Sequence, residues 1–213
     1  MKIAFQMDPI EPIDITADST FRLAEEAQSR GHELFYYTPD LLAYQEGRLT
    51  AKGWPLTVQR VVGDHAILGP QAEFDLADFD VIWLRQDPPF DMHYITTTHF
   101  LDRVHPDTLV VNDPFWVRNY PEKLLVLEFP DLTPPTTIAR DLDTIKAFKA
   151  RHRDVILKPL YGNGGAGVFR LDAQDRNLSS LHELFTGFSR EPLIVQKFLP
   201  AVSQGDKRVI LVD

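Results

Sequence analysis

The chain contains no cysteine among its 213 residues, and this absence removes several classes of chemistry. Disulfide bridges, zinc sites with cysteine ligands and thiol nucleophiles supplied by the protein are all excluded. No apolar run reaches about 18 residues, so the sequence predicts neither a signal peptide nor a membrane span, and we expect a cytoplasmic protein. With 44% hydrophobic residues, the chain can still bury a core in one large or two small domains.

Positive charge is scarce and unevenly distributed. The chain has 22 Lys and Arg against 31 Asp and Glu, a net charge of −9. Residues 1–150 hold 13 basic and 24 acidic residues, or −11, whereas residues 151–213 hold 9 and 7, or +2. An acidic chain without a basic stripe interleaved with aromatics argues against a nucleic-acid partner. The local shift toward positive charge suits an anionic ligand in the last third of the chain.

Glycine is also sparse, yet four of the 11 glycines fall within six residues: Gly162, Gly164, Gly165 and Gly167. They follow an apolar, strand-like run that contains Lys158. Closely spaced glycines let the backbone approach a ligand, and successive N–H groups can converge on a phosphate. A lysine at the end of the preceding strand adds charge of the right sign. The pattern predicts an anion-binding loop, and a flexible hairpin without a ligand is the alternative.

Three familiar nucleotide-binding motifs do not fit this loop. The dinucleotide motif G-x-G-x-x-G requires a helix after it, whereas residues 168–171 alternate and favour a strand, so the loop joins two strands. Residues 152–154 (HRD) imitate a kinase catalytic loop, but they precede the glycines, Pro159 stands where Asn is required, and no Asp-Phe-Gly occurs. A Walker A loop is excluded because the chain has no Gly-Lys-Ser/Thr.

The first part of the chain has the pattern of an α/β domain with a parallel sheet. Strands are predicted at residues 2–7 and 34–37, around a helix that Thr16 or Asp18 caps and Gly31 ends. A hairpin turning at Glu46-Gly47 follows, and then come strands at 81–85 and 109–112 with a helix over 92–104 between them. Five prolines within residues 114–135 mark a domain boundary, so we expect a first domain over 1–120.

The second domain, predicted over residues 121–213, has an α+β pattern. Helices are predicted over 141–149, with Asp141 as the N-cap, and over 179–188; strands are predicted over 155–158, 168–171, 193–198 and 207–213. The last strand would expose an unpaired edge with nothing after it. We therefore expect the second domain to be partial and the chain to be truncated.

A series of motifs runs in order through the whole chain: MDPI at 7–10, DSTF at 18–21, RQDPPFD at 85–91, PEKL at 121–124, ILKPLYG at 156–162, QKFLP at 196–200 and GDKRV at 205–209. This series resembles bacterial (prokaryotic-type) glutathione synthetase, of the ATP-grasp superfamily. The resemblance implies a pre-ATP-grasp domain followed by a partial ATP-grasp domain. It also implies ligation of γ-glutamylcysteine to glycine through an acyl phosphate, with ATP, Mg²⁺ or Mn²⁺ and a homotetrameric enzyme.

The resemblance also assigns roles to individual residues. The expected nucleotide-binding set is Lys123, Lys158, Gly162, Gly164, Gly165, Gly167, Gln196, Lys197, Phe198, Leu199 and Asp206, with residues 196–199 at the adenine edge and Asp206 at the ribose. Arg208 is the expected catalytic residue, at the phosphate or acyl phosphate. The expected substrate-binding set is Ser19, Thr20, Arg85 and Asp87. The Arg85 guanidinium suits a carboxylate, and a structural ion pair with Asp87 or Asp91 is the alternative.

The chain departs from the family pattern in two ways. Tyr161 stands before the glycines where the family usually has Asp. The family's lid and magnesium ligands are expected beyond Asp213, so the metal site is unknown and a polypeptide ending there is expected to be inactive. Two other functions stay open: another ATP-grasp carboxylate–amine ligase, and a nucleotide-binding module without catalysis.

Overall fold

The computed structural model describes residues 1–207 and 209, and the chain divides into two compact units, Met1–Tyr120 and Pro121 onward. Arg208 lies outside the described residues, as does most of the strand predicted over 207–213. Unit 1 contains, in chain order, β1 (Lys2–Met7), α1 (Ser19–Ser29), β2 (Glu33–Tyr37), β3 (Leu42–Gln45), β4 (Arg48–Val58), β5 (Ala66–Leu68), β6 (Ala72–Asp75), β7 (Val81–Arg85), α2 (Met92–Leu101), β8 (Leu109–Val111) and α3 (Pro114–Asn119), with 3-10 turns at Pro39–Leu41 and Leu76–Asp78.

The centre of unit 1 is a parallel sheet, as the opening βαβ pattern predicts. Strand β1 pairs in parallel with β2 and with β7, and β7 pairs in parallel with β8. Helix α1 begins after Asp18, whose carboxylate accepts a hydrogen bond from the Phe21 N–H at 2.6 Å. Phe21, Ala24 and Ala27 recur at helical spacing and are buried, so one face of α1 packs against the sheet.

The two faces of this sheet carry separate cores. On one face, Ile3, Phe5 and Met7 pack with α1, and Val81 and Trp83 lie against the same cluster. On the other face, Ala4 of β1 packs with Ile82, Leu84, Leu101 and Val110. Because neighbouring residues of a strand point to opposite faces, these assignments place Gln6 on the α2 side and Arg85 on the α1 side.

Strand β4 connects with four neighbours. Its first half pairs antiparallel with β3 and β6, and its second half pairs antiparallel with β2 and β5. The change falls at Gly53, where an added Cβ would lie 2.5 Å from the Tyr36 carbonyl oxygen. A side chain cannot occupy that space, so glycine permits the close approach of β4 to β2 at this point. The hairpin predicted at Glu46-Gly47 is the β3–β4 turn.

Unit 2 has an antiparallel sheet in the order β11-β10-β12-β9. Its elements are α4 (Glu122–Leu125), β9 (Thr136–Ala139), α5 (Leu142–His152), β10 (Val155–Pro159), β11 (Phe169–Leu171), α6 (Leu178–Phe188) and β12 (Leu193–Lys197), with 3-10 turns at Val126–Glu128, Pro130–Leu132 and Pro200–Gln204. Asp141 caps α5, because its carboxylate accepts a hydrogen bond from the Thr144 N–H at 2.7 Å. Ile145, Val155, Leu157 and Val195 are fully buried at the centre of the core.

Several element bounds differ from the sequence prediction. Helix α2 ends at Leu101, three residues before the predicted end, because Asp102 already takes the C-cap position. Helix α5 continues to His152. Strands β5, β6 and β9 were not predicted, since three or four residues are too short to show an alternating pattern. In the part of the chain that the structure describes, no helix is long and apolar enough to cross a membrane.

Candidate active site

The glycine-rich segment joins two adjacent antiparallel strands, β10 and β11, in the register Val155↔Leu171 and Leu157↔Phe169. This confirms the strand–loop–strand prediction and excludes the helix that a dinucleotide motif requires. Gly164, Gly165 and Gly167 take positive φ values of 58°, 77° and 70°, a region that side chains disfavour. The Gly164 and Gly165 N–H groups find no acceptor among residues 1–207, so they are available to an incoming anion.

Lys123 holds the start of the glycine loop. Its ammonium donates to the Pro159 carbonyl at 3.0 Å and also to the Gly162 carbonyl. Lys123 lies on α4 and is half-buried. Partial burial lowers the pKa of Lys123, the nearby Lys158 lowers it further, and Glu122 opposes both effects.

Lys158 adds a second cation beside the same loop. It lies on β10 and is half-buried, and burial lowers the pKa of its ammonium. In the described part of the chain, its side chain has neither a hydrogen-bond partner nor an ion-pair partner. Two partly desolvated lysines that repel each other would both gain from an anion between them. The arrangement is therefore suited to binding phosphate groups.

Residues 196–199, the segment predicted at the adenine edge, already use most of their hydrogen-bonding groups within the protein. The Lys197 N–H donates to the Pro135 carbonyl and the Phe198 N–H to the Asp154 carbonyl, each at 2.9 Å. The Gln196 side chain donates to Thr136 Oγ1 at 3.0 Å, and the Phe198 ring lies 3.9 Å from the Arg170 guanidinium. Among the backbone N–H groups of Lys197, Phe198 and Leu199, only that of Leu199 lacks an acceptor within residues 1–207. Asp206 is exposed beyond Gly205.

In unit 1, the structure brings together three of the four predicted substrate residues. Arg85, at the end of β7, donates from Nε to Thr20 Oγ1 at 2.9 Å and from Nη2 to Ser19 Oγ at 2.8 Å. These hydroxyls fix the guanidinium without neutralising it. No ion pair to Arg85 exists among the described residues, so the alternative of a structural pair with Asp87 or Asp91 is not found.

The two aspartates have other partners. Asp91 caps α2 by accepting from the Tyr94 N–H at 3.0 Å. The Asp87 N–H donates to Asp8 Oδ2 at 2.6 Å. Partial burial raises the pKa of the Asp87 carboxyl, with further contributions from the negative charges of Asp8 and Asp18, and Arg85 opposes them.

Sequence reasoning missed a cavity of about 280 Å³ on unit 1, which is lined by Asp8, Pro9, Thr38, Pro39, Asp40, Gln86, Asp87, Pro89, Asp91 and His93. These residues follow the ends of β1, β2 and β7, which are parallel, so their carboxyl ends meet at one edge. The rule that ligands bind at the carboxyl ends of parallel strands placed Arg85 at a ligand site. Applied to β1 and β2 as well, the same rule would have identified the lining residues that follow these two strands.

The described residues offer no metal centre: no group of three or more His, Asp or Glu side chains within them is placed to hold an ion. The expectation of ligands beyond Asp213 stays a prediction. Among residues 1–207 and 209, Mg²⁺ and Mn²⁺ therefore have no assigned ligands.

The fold is similar to that of ATP-grasp proteins. An ATP-grasp RimK domain protein from Sphaerobacter thermophilus superimposes with a TM-score of 0.60 at 21% identity, over 94% of this chain and 65% of that one. D-cycloserine synthetase DcsG gives a TM-score of 0.60 at 17% identity, over 95% of this chain and 61% of that one. At such identities the likeness establishes the fold alone.

The sequence comparisons go further, and they confirm the resemblance seen in the motifs. The model of the prokaryotic glutathione synthetase N-terminal domain matches residues 1–118, and that of the ATP-grasp domain matches residues 122–213. The chain is 57% identical to glutathione synthetase of Brucella melitensis and 54% identical to that of Mesorhizobium japonicum, over all 213 residues. It spans 68% of the length of each. The chain belongs to the prokaryotic glutathione synthetase family.

Proposed function

We propose that this chain carries the nucleotide site and a substrate site of an ATP-dependent ligase that joins γ-glutamylcysteine to glycine through an acyl phosphate. Family membership over the whole chain supports the reaction. The observation that carries the nucleotide site is the pair of half-buried lysines, Lys123 and Lys158, beside a glycine loop with free N–H groups.

The proposed role of the loop follows from the charge of the reacting group. Phosphoryl transfer spreads negative charge over the transferring oxygens, and fixed donors stabilise that charge without reorganising. Lys158 supplies an ammonium that has no hydrogen-bond or ion-pair partner among the described residues, and the Gly164 and Gly165 N–H groups supply backbone donors. Lys123 also acts on this segment, because its ammonium donates hydrogen bonds to the Pro159 and Gly162 carbonyls. Gly162, Gly167, Gln196, Lys197, Phe198, Leu199 and Asp206 complete the proposed nucleotide set, and Arg208 is proposed to contact the acyl phosphate.

Arg85, with Ser19, Thr20 and Asp87, is proposed to bind the γ-glutamylcysteine substrate. A guanidinium that is fixed by two hydroxyls and lacks an ion pair in the described chain offers a planar fork to a carboxylate. A metal, Mg²⁺ or Mn²⁺, would neutralise phosphate charge when bound. The described residues do not fit such an ion, so no step is assigned to it. A homotetramer and a cytoplasmic location are likewise proposals, and light scattering of the purified protein tests the first.

Another ATP-grasp carboxylate–amine ligase is the alternative function, since proteins such as D-cycloserine synthetase DcsG share the fold. Calorimetry can separate the two proposals at the level of binding. We expect γ-glutamylcysteine to bind, and the isomeric α-glutamylcysteine to bind at least about 10-fold more weakly because its charged groups are displaced. Equal binding of the two peptides would favour the alternative.

ADP binding tests the nucleotide site directly. Lys158→Ala should weaken ADP binding by about 10-fold to 100-fold, because it removes a charged donor from a partly desolvated site. The matched control is Lys146→Ala, on exposed α5, where Asp143 already lies 3.8 Å away. Unchanged affinity in Lys158→Ala would remove this residue from the site. Failure of the wild-type chain to bind any adenine nucleotide would contradict the role in ATP binding altogether, including the reading as a non-catalytic nucleotide module.

A further inference from the structure

A strained turn connects helix α5 to strand β10. Arg153 has φ 66° and ψ −69°, a left-handed conformation that residues with a side chain disfavour. The Asp154 N–H donates to the His152 carbonyl at 2.9 Å, only two residues back, so the turn is of the rare, strained γ type. Such a turn persists only where the surrounding contacts fix it, and those contacts meet at Asp154.

Asp154 binds three other parts of unit 2. Its carbonyl accepts a hydrogen bond from the Phe198 N–H at 2.9 Å. Its carboxylate accepts one from Arg170 Nη2, on β11, at 3.0 Å and another from the Ala173 N–H at 3.2 Å. Asp154 therefore joins β11 and the residues after it to the segment 196–199, which is proposed to lie at the adenine edge.

Arg170 contacts the same segment from a second direction. Its guanidinium lies 3.9 Å from the centroid of the Phe198 ring, an arrangement that cation–π attraction favours. Leu171 next to Arg170, and Leu157 next to Lys158, both belong to the core beneath the helices. Because neighbouring residues of a strand point to opposite faces, Arg170 lies on the same face of the sheet as Lys158, which is the face proposed to bind the phosphates.

The contacts to Phe198 determine the direction of the Leu199 N–H. Leu199 is extended, with φ −104° and ψ 107°, and successive N–H groups of an extended segment point to alternate sides. With the Phe198 N–H bonded to Asp154, the Leu199 N–H points away from β10. Adenine presents an acceptor, N1, beside its N6 amino group, whereas guanine presents an N1–H donor beside O6. A backbone N–H fixed in one direction therefore pairs with adenine and leaves guanine with two opposed donors.

We propose that Asp154 and Arg170 are positioning residues for base recognition, which hold Phe198 so that the Leu199 N–H meets N1 of adenine and rejects guanine. The inference rests on the proposed function, because that function supplies a nucleotide at residues 196–199. Neither side chain is deeply buried: Asp154 is 39% and Arg170 53% exposed. An ion pair this exposed contributes little to folding stability, so its loss should affect recognition more than folding.

The test compares ADP with GDP by calorimetry on the whole chain. The wild type should bind ADP at least about 10-fold more tightly, because guanine leaves the Leu199 N–H unpaired. Arg170→Met removes the guanidinium but keeps a long side chain, and it should lower this preference by about 3-fold to 10-fold. Asp154→Asn, which preserves shape, should act in the same direction. The matched control is Arg151→Met, on an exposed arginine of α5, which should keep the full preference.

Two further measurements distinguish positioning from a general structural defect. If Asp154 acts through Arg170, the double variant Asp154→Asn/Arg170→Met should lose no more preference than Arg170→Met alone. Pyrophosphate has no base, so it should bind every variant with the affinity of the wild type, since Lys158 and the glycine loop are unchanged. A thermal melt of each variant checks that it is folded.

The outcomes separate this inference from the function on which it rests. Equal affinity of the wild type for ADP and GDP would overturn base recognition and leave the proposed nucleotide site standing. No binding of ADP, GDP or pyrophosphate to the wild type would overturn the nucleotide site, and the inference with it. Full preference in both single variants would overturn the assignment of Asp154 and Arg170. An equal loss of ADP, GDP and pyrophosphate affinity would overturn it as well, because it would mark a structural role.

Discussion

The two units offer cations to anionic ligands by different structural means. In unit 2, backbone N–H groups of one contiguous loop lie beside two lysines. In unit 1, Arg85 is fixed by the Ser19 and Thr20 hydroxyls at the start of α1, and the acidic cavity is assembled from the ends of three strands. A loop site depends on local backbone geometry, whereas a strand-end site depends on the sheet order. An anion-binding site is therefore formed in two ways in this chain: in unit 2 by residues close together in the sequence, and in unit 1 by residues that the sheet order brings together.

The cations also differ in their response to pH. Burial lowers the pKa of both Lys123 and Lys158, whereas a guanidinium stays charged throughout the accessible range. Positive charge at the loop therefore depends on pH.

Exchanging the cation in unit 1 should give the largest effect. Arg85→Ala should raise the Kd for γ-glutamylcysteine by about 100-fold, because it removes a bidentate charged donor, and Arg85→Lys by about 10-fold, because charge without the planar fork is not equivalent. ADP affinity should stay unchanged in both variants, which calorimetry can check on the same samples. A loss of ADP affinity equal to that of the peptide would show that the two units do not bind their ligands separately.

A smaller effect is expected from adding one methyl group to the loop of unit 2. An alanine Cβ at Gly162 would lie 2.8 Å from Pro159 Cγ, and Lys123 Nζ is 3.7 Å away. The loop must shift to relieve this clash, so Gly162→Ala should weaken ADP binding by about 5-fold to 10-fold. The matched control is Gly187→Ala on α6, where an added Cβ meets nothing within 4 Å. Equal ADP affinities in the two variants would mean that the loop tolerates the shift.

The smallest expected effect is the pH dependence of the loop. An anion favours the protonated lysines, so ADP affinity should fall as pH rises toward the lowered pKa of Lys158, which lies below the ordinary 10.5. For stability the sign is opposite: in that window the unfolded chain binds more protons than the folded one, so stability from this group increases with pH. Between about pH 7 and about pH 9.5, the fall in affinity should be a few-fold, and Lys158→Ala should flatten it. An identical slope in wild type and variant would assign the dependence to another group.

How much could be predicted depends on how far apart the cooperating residues lie in the sequence. Helix α1, the β10–β11 loop and the cation Arg85 could be predicted from the sequence, since cap, periodicity and glycine content are local signals. The burial of Lys123 could not be predicted, because its carbonyl partners lie 36 and 39 residues further along the chain. Asp154 was missed because its partner Arg170 lies 16 residues further along the chain, on another strand.

Strand β4 has a consequence for how unit 1 opens to solvent. Its amides take part in pairing with β2, β3, β5 and β6, and at Gly53 the strand lies so close to the Tyr36 carbonyl of β2 that there is no room for a side chain. Separating it from one neighbour alone would leave the others holding it. Hydrogen exchange along β4 should therefore require a sub-global opening rather than local fraying, and its amides should be among the last in unit 1 to take up deuterium.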